Sequence, residues 1–218
     1  MSSSTIQIVM AIICLLASIT IYFQPKSELY LKLFPVFLMI TNAVSAIGVY
    51  MGDHNINNTV LYNVFSIVEV MFYFFIFYEM IRNKKLKRII IYMSCVYFLV
   101  AIYDMIVSQK AHVFHSLSYS VGSLFLVILC VFYFYELFQL PQTNSLLRQP
   151  SFWICTSILF STCCTFPLFG FAMFFHTPPK FIINNIQIIL LIVNIFTYSL
   201  YTIAFLCRIK TSKSMLSS

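Results

Sequence analysis

The chain has 218 residues, 61% of them hydrophobic and 9% charged, with a formal net charge of +7 and a mean hydropathy of +0.93. Soluble domains carry about a quarter charged residues, and a water-soluble fold of this size leaves about a third of its surface in water. Composition therefore excludes a soluble domain and makes lipid the expected solvent.

Seven apolar runs are long enough to cross a bilayer, for which roughly 20 residues suffice. The first, 6–23, follows a stretch, Met1 to Thr5, without a charged side chain. It reads as a retained helix, since a signal peptide carries a basic n-region. The second, 33–50, has Asn42 at its middle. The third, 59–81, carries Thr59, Tyr62, Ser66, Glu69 and Tyr73 at alternating steps of three and four, which share one helix face. A basic segment from Arg82 to Arg88 reads as the loop before the fourth, 89–107, and the fifth is 117–138. The sixth, 151–175, has Ser161, Thr162 and Thr165 near mid-depth, with Pro167 and Gly170 expected to bend its far end. The seventh, 181–207, carries a polar stripe of Asn184, Gln187, Asn194, Tyr198 and Tyr201. The expected fold is an all-α seven-helix transmembrane bundle, one domain over 1–218 with no soluble part.

Orientation follows from the basic residues. With seven spans, eleven of the thirteen Lys and Arg fall on one side, and only Lys110 and Lys180 fall on the other. The positive-inside rule places the larger set in the cytoplasm, with the N-terminus outside and the C-terminus inside. Basic loops between apolar runs are explained by topology, so the bilayer is the expected partner and nucleic acid is not. A membrane or cytoplasmic protein is a further partner to consider.

An internal similarity links the third and fifth runs at a shift of 57. It pairs Tyr62 with Tyr119, Ser66 with Ser123, Phe75 with Phe132, Tyr78 with Tyr135 and Glu79 with Glu136. Either a duplicated two-helix hairpin or aromatic-rich composition explains it. Glu79 and Glu136 lie near basic residues and read as surface ion pairs with Arg82, Lys85 or Arg148.

Glu69 is the residue most suggestive of chemistry. It stands near the centre of its span, where no Lys, Arg or His is available as partner. A bare carboxylate there costs several kcal/mol, so it should be protonated, hydrogen-bonded or wetted. Asn42, Asn194 or a hydroxyl of the sixth span is the expected partner. The candidate ligand or proton site is Glu69, Asn42, Asn194, Tyr62, Ser66 and Tyr73. The same residues could instead serve as interhelical hydrogen bonds.

Other chemistry has weaker signals. His54, His112, His115 and His176 all fall toward one side, with Asp53 and Asp104 at similar depth, but without a familiar zinc spacing. The seven cysteines lack a CxxC pair and read as small buried residues. The last run has no mid-depth lysine for retinal, and no GxSxG, HExxH or Walker loop is present. No catalytic residue, metal or cofactor is expected.

Tyr62-Asn63-x-x-Ser66-x-x-Glu69, the aromatic run and basic segment after it, and Phe152-Trp153 resemble a pattern in uncharacterised bacterial seven-helix membrane proteins. That resemblance implies an integral membrane protein and no established activity, and the expected location is the bacterial inner membrane. The seven-helix topology and Pro141-Gln142 are also similar to sugar transporters of the PQ-loop type. In those, helices 1–3 repeat in 5–7, whereas here the third run matches the fifth. The expected function is non-enzymatic binding of a ligand, lipid or partner, with signalling through the cytoplasmic face. The alternative is a transporter or proton-coupled carrier using Glu69, and an intramembrane enzyme comes third.

Overall fold

In a computed structural model, residues 3–23, 27–109, 116–139, 146–174 and 180–216 are described. They form α1 (Ser3–Ile19), α2 (Leu29–Asp53), α3 (Thr59–Met80), α4 (Lys84–Gln109), α5 (Ser116–Gln139), α6 (Pro150–Phe174) and α7 (Lys180–Leu216). Short 3-10 turns follow α1 (Thr20–Phe23) and precede α6 (Leu146–Arg148). Among the described residues there is no strand, and seven helices are long and apolar enough to span a membrane.

The starts of α4 and α2 differ most from the sequence expectation. The basic segment is largely not a loop: α4 begins at Lys84, so Lys84, Lys85, Lys87 and Arg88 form its first turns. Lys, Leu and Arg are good helix formers, and the Asn83 side chain accepts the Lys85 amide at 2.9 Å, as capping residues do. Likewise α2 starts at Leu29, which makes Pro35 interior to the helix, with no amide to offer the Leu31 carbonyl. At its other end α2 turns into α3 through Asn55, whose φ of 56° is left-handed, a region asparagine tolerates.

The packing pairs describe a closed ring. α1 packs on α2 and α7, α2 on α3, α3 on α5, α5 on α6, and α6 on α7. α4 stands outside that ring, against α3 and α5. Its buried residues Ile90, Tyr97, Ala101 and Asp104 are spaced by seven, four and three, one stripe along the helix. Tyr92, Leu99, Tyr103 and Ile106 on its other faces are exposed. A helix with only two neighbours needs no wider apolar stripe.

Small residues let the helices approach. Gly122 on α5 is buried, with the Tyr97 ring and Val70 against it. Cys130 and Cys155 are buried where α5 meets α6, each thiol directed at the other's carbonyl at 3.7 and 3.9 Å. Cys14 is also buried, but Cys95 and Cys163 are exposed on the bundle's outside, so only part of the cysteine set is core. An outward face that is apolar tolerates a thiol as readily as a core does.

Two carboxylates that read as loop or surface groups instead bind backbone amides. Asp104 of α4 accepts the Ser118 amide at 2.8 Å, in the first turn of α5, where helix N–H groups lack partners. Glu136 of α5 accepts the amides of Arg82 and Asn83 at 3.0 Å each, with its second oxygen 3.2 Å from Arg82. The expected surface ion pair is thus replaced, at Glu136, by a clasp on the α3–α4 connection. Amides at a helix start are fixed in place, whereas Arg and Lys ends must be ordered to pair. Asp104→Ala should cost about 1 kcal/mol of stability, as for a lost helix cap. Asp104→Asn, which keeps an acceptor, should cost less. Unfolding in detergent checks the order, and equal losses would remove the capping role.

Candidate functional site

A cavity of about 550 Å³ occupies the middle of the ring, lined by α2, α3, α5, α6 and α7. It extends from Asn58 and Thr59, where α3 starts, to Tyr73 and Tyr201. The α3 face explains its polar wall, because Thr59, Tyr62, Ser66, Glu69 and Tyr73 all line it. From α6 come Ser161, Thr162 and Thr165, and from α7 Asn194, Tyr198 and Tyr201.

Asn42 does not join them. The cavity takes Leu38, Thr41 and Ser45 from α2, and the Asn42 amide donates to the Leu38 carbonyl at 2.8 Å. Its depth is suitable but it sits about 100° around the helix from Thr41. Gln187 is exposed, and the Asn184 side chain lies outside the described residues.

Glu69 also has a different partner from those expected. The Tyr73 hydroxyl donates to its Oε1 at 2.9 Å, and the Tyr201 hydroxyl lies 3.3 Å from that of Tyr73. Positions four apart lie one above the other on a helix, so Tyr73 reaches the carboxyl without help from α2 or α6. The connection across the bundle is made one residue further on, by Tyr201 of α7. Ser66 donates to the Asn63 carbonyl at 2.9 Å. Tyr62 directs its hydroxyl at Gly48 of α2, where any Cβ would collide with it, and Asn58 donates to the Gly48 carbonyl at 3.0 Å.

The shift of 57 has a spatial counterpart. Tyr62, Ser66 and Glu69 of α3 and Tyr119, Ser123 and Leu126 of α5 all face this cavity. At the opposite end a smaller recess of about 140 Å³ takes Glu79 and Met80 from α3 and Glu136 and Leu137 from α5. Positions matched in sequence thus face a shared space twice, and one of them carries the change from carboxyl to leucine.

The two recesses are separated by packed side chains. Phe34, Phe77, Cys130, Cys155 and Ile158 are fully buried and lie, along their helices, between residues of the recess and those of the cavity. Phe34 meets Tyr201 and Phe205 edge-on, with ring centres 4.9 and 5.5 Å apart. Edge-to-face contacts of this kind add to the burial energy of the rings.

No metal centre forms among the described residues. The His54 ring nitrogen Nδ1 lies 2.9 Å from the Tyr50 carbonyl, and Asp104 is committed to the Ser118 amide. His112, His115 and His176 lie outside the described residues, as do Pro141 and Gln142.

The sequence did not announce the backbone-amide roles of Asp104 and Glu136 or the apolar part of the cavity wall, including Phe37, Phe65 and Val193. A signal for Glu136 was present in its match to Glu79. Apolar wall residues look like any other core residue in an apolar chain and leave no such signal. Compared with protein-family models, curated proteins and solved structures, the chain matches none.

Proposed function

We propose that this chain is a multi-pass integral membrane protein, N-terminus outside and C-terminus inside, that binds a small molecule in its central cavity without catalysing a reaction. Exposed Leu16, Ile40, Leu99, Ile106, Val131 and Phe196 represent an apolar outer surface that a soluble monomer would not tolerate. Lipid is the solvent that such a surface suits. A bacterial inner membrane is the setting proposed, because the sequence pattern resembles bacterial seven-helix membrane proteins. The carrying observation for binding is the cavity of about 550 Å³ with Glu69 in its wall. That volume is within the range of about 300–1,000 Å³ in which drug-sized molecules are held.

Transport is the second reading, favoured by the packed layer between the cavity and the recess at the opposite end. A carrier caught open on one side would have this arrangement, with Glu69 above the closed layer. Reporter fusions test the topology: those after Lys85 and Lys210 should report cytoplasm and one after Asn57 the exterior. A cytoplasmic signal at Asn57 would reverse it. A thermal-shift screen on purified protein tests the site, because compounds that stabilise wild type should fail on Ser123→Phe, which fills the cavity. Stabilisation that persists in Ser123→Phe would move the site elsewhere. Counterflow of a bound compound in proteoliposomes would favour transport, and binding without counterflow favours the receptor reading.

A further inference from the structure

We infer that the ligand of the central cavity is a monovalent organic ammonium with a bulky apolar body, its charge seated on Glu69. This deepens the binding reading and rests on it. Thr41, Ser66, Ser161, Thr162, Thr165 and Thr197 all line the cavity. Each donates its hydroxyl proton to a carbonyl of its own helix, at distances from 2.7 to 3.1 Å. Tyr119 donates to Thr165 at 2.7 Å and Tyr73 to Glu69 at 2.9 Å. A hydroxyl has one proton and two lone pairs. With the protons used inside the wall, what these groups offer a ligand is mainly lone pairs.

Charge has the same sign. Among the described residues the wall includes Glu69 and no Lys, Arg or His. A carboxylate at this depth requires a proton or a countercharge, and an entering ammonium supplies both a charge and N–H donors. An anion would find no cation among the described wall residues, with the hydroxyls of Tyr62 and Tyr198 and the Asn194 amide as further donors.

The wall's apolar part selects the body of the ligand. Phe37, Phe65, Tyr62, Tyr119 and Tyr198 face the cavity. Aromatic faces attract cations and accept apolar groups. A bare metal ion is poorly suited, since it takes about six or more oxygens converging on one point. Here one carboxyl faces a space of about 550 Å³.

Three probes of one shape test this: 2-naphthylethylamine, protonated at neutral pH, the neutral naphthylethanol and the anionic naphthylpropanoate. Equilibrium dialysis against nanodisc-embedded protein, with empty discs subtracted, gives the affinities. The ammonium should bind about tenfold or more tighter than the alcohol, as expected for one charge-assisted hydrogen bond, and the carboxylate weakest. Glu69→Gln should erase the preference for the ammonium, Glu69→Asp should keep it, and Glu79→Gln, an exposed site at the opposite end, should leave it unchanged. Wild-type melting behaviour of Glu69→Gln confirms that the fold survives. Absent ammonium binding, equal affinities for the three probes, or a preference untouched by Glu69→Gln, would overturn the inference. Binding of all three that is lost in Ser123→Phe overturns only the ammonium and leaves the cavity as a binding site. Binding that survives Ser123→Phe overturns the cavity reading itself.

Discussion

Gly122→Val should destabilise the bundle by about 1–3 kcal/mol, the usual cost of overpacking a close-packed contact. A Cβ at Gly122 would lie 2.8 Å from Tyr97 Cε2 and 3.2 and 3.3 Å from the two methyl carbons of Val70. Neither neighbour can yield easily. Tyr97 is 1% exposed, with its ring centre 5.8 Å from that of Phe74, and Val70 is buried. The side chain would therefore push on α3 and α4 together. Because α4 packs mainly on α3 and α5 among the described elements, loosening this seam should release α4 first. Unfolding in detergent checks the size of the loss, and limited proteolysis of the α4 ends checks its place. Gly52→Ala is the control, since the nearest atom to its Cβ is 4.0 Å away, and it should stay within about 0.5 kcal/mol of wild type. A double substitution with Tyr97→Leu should recover much of the loss, because neighbours in contact are not additive. A Gly122→Val protein as stable as wild type would show that the seam has slack.

The number of helices was legible because apolar length is a one-dimensional property. The α3 face was legible for a similar reason: Thr59, Tyr62, Ser66, Glu69 and Tyr73 share one helix, and helical periodicity relates them without a partner. Relations between helices were not. Asn42 and Thr41 are neighbours in sequence and equal in depth, yet only Thr41 lines the cavity. The rotation of α2 about its axis decides between them, and apolar residues on every face of the helix leave that rotation unmarked. Asp104 and Glu136 show the converse. Their partners are backbone amides, of α5 for Asp104 and of the α3–α4 connection for Glu136, which every residue except proline has, so no side-chain pattern announces them. The start of α4 was obscured because lysines mark a loop by charge and a helix by propensity, and hydropathy registers only the charge.

Tyr73→Phe should destabilise the protein by about 1–3 kcal/mol, and adding Glu69→Leu should restore most of that loss. The Tyr73 hydroxyl is the donor to Glu69 Oε1 at 2.9 Å and the neighbour of the Tyr201 hydroxyl at 3.3 Å. Removing it leaves a carboxyl in the cavity wall without its donor, and an unmatched polar group away from bulk water costs more than a hydrogen bond contributes. Replacing both groups by apolar ones removes that mismatch, which is why the double substitution should exceed Tyr73→Phe in stability. Glu69→Leu alone should cost about 1 kcal/mol, since Tyr73 keeps Tyr201 as a neighbour. Glu69→Gln should be close to neutral, because the amide oxygen still accepts from Tyr73. The expected order is therefore wild type and Glu69→Gln, then Glu69→Leu and the double substitution, then Tyr73→Phe. Unfolding in detergent at fixed pH gives that order directly. If the double substitution is instead the least stable, Glu69 stabilises the bundle through contacts beyond Tyr73. If Glu69→Gln is as harmful as Glu69→Leu, the carboxyl's second oxygen or its charge supports the fold, and the cavity carboxyl is then a structural group before it is a binding one.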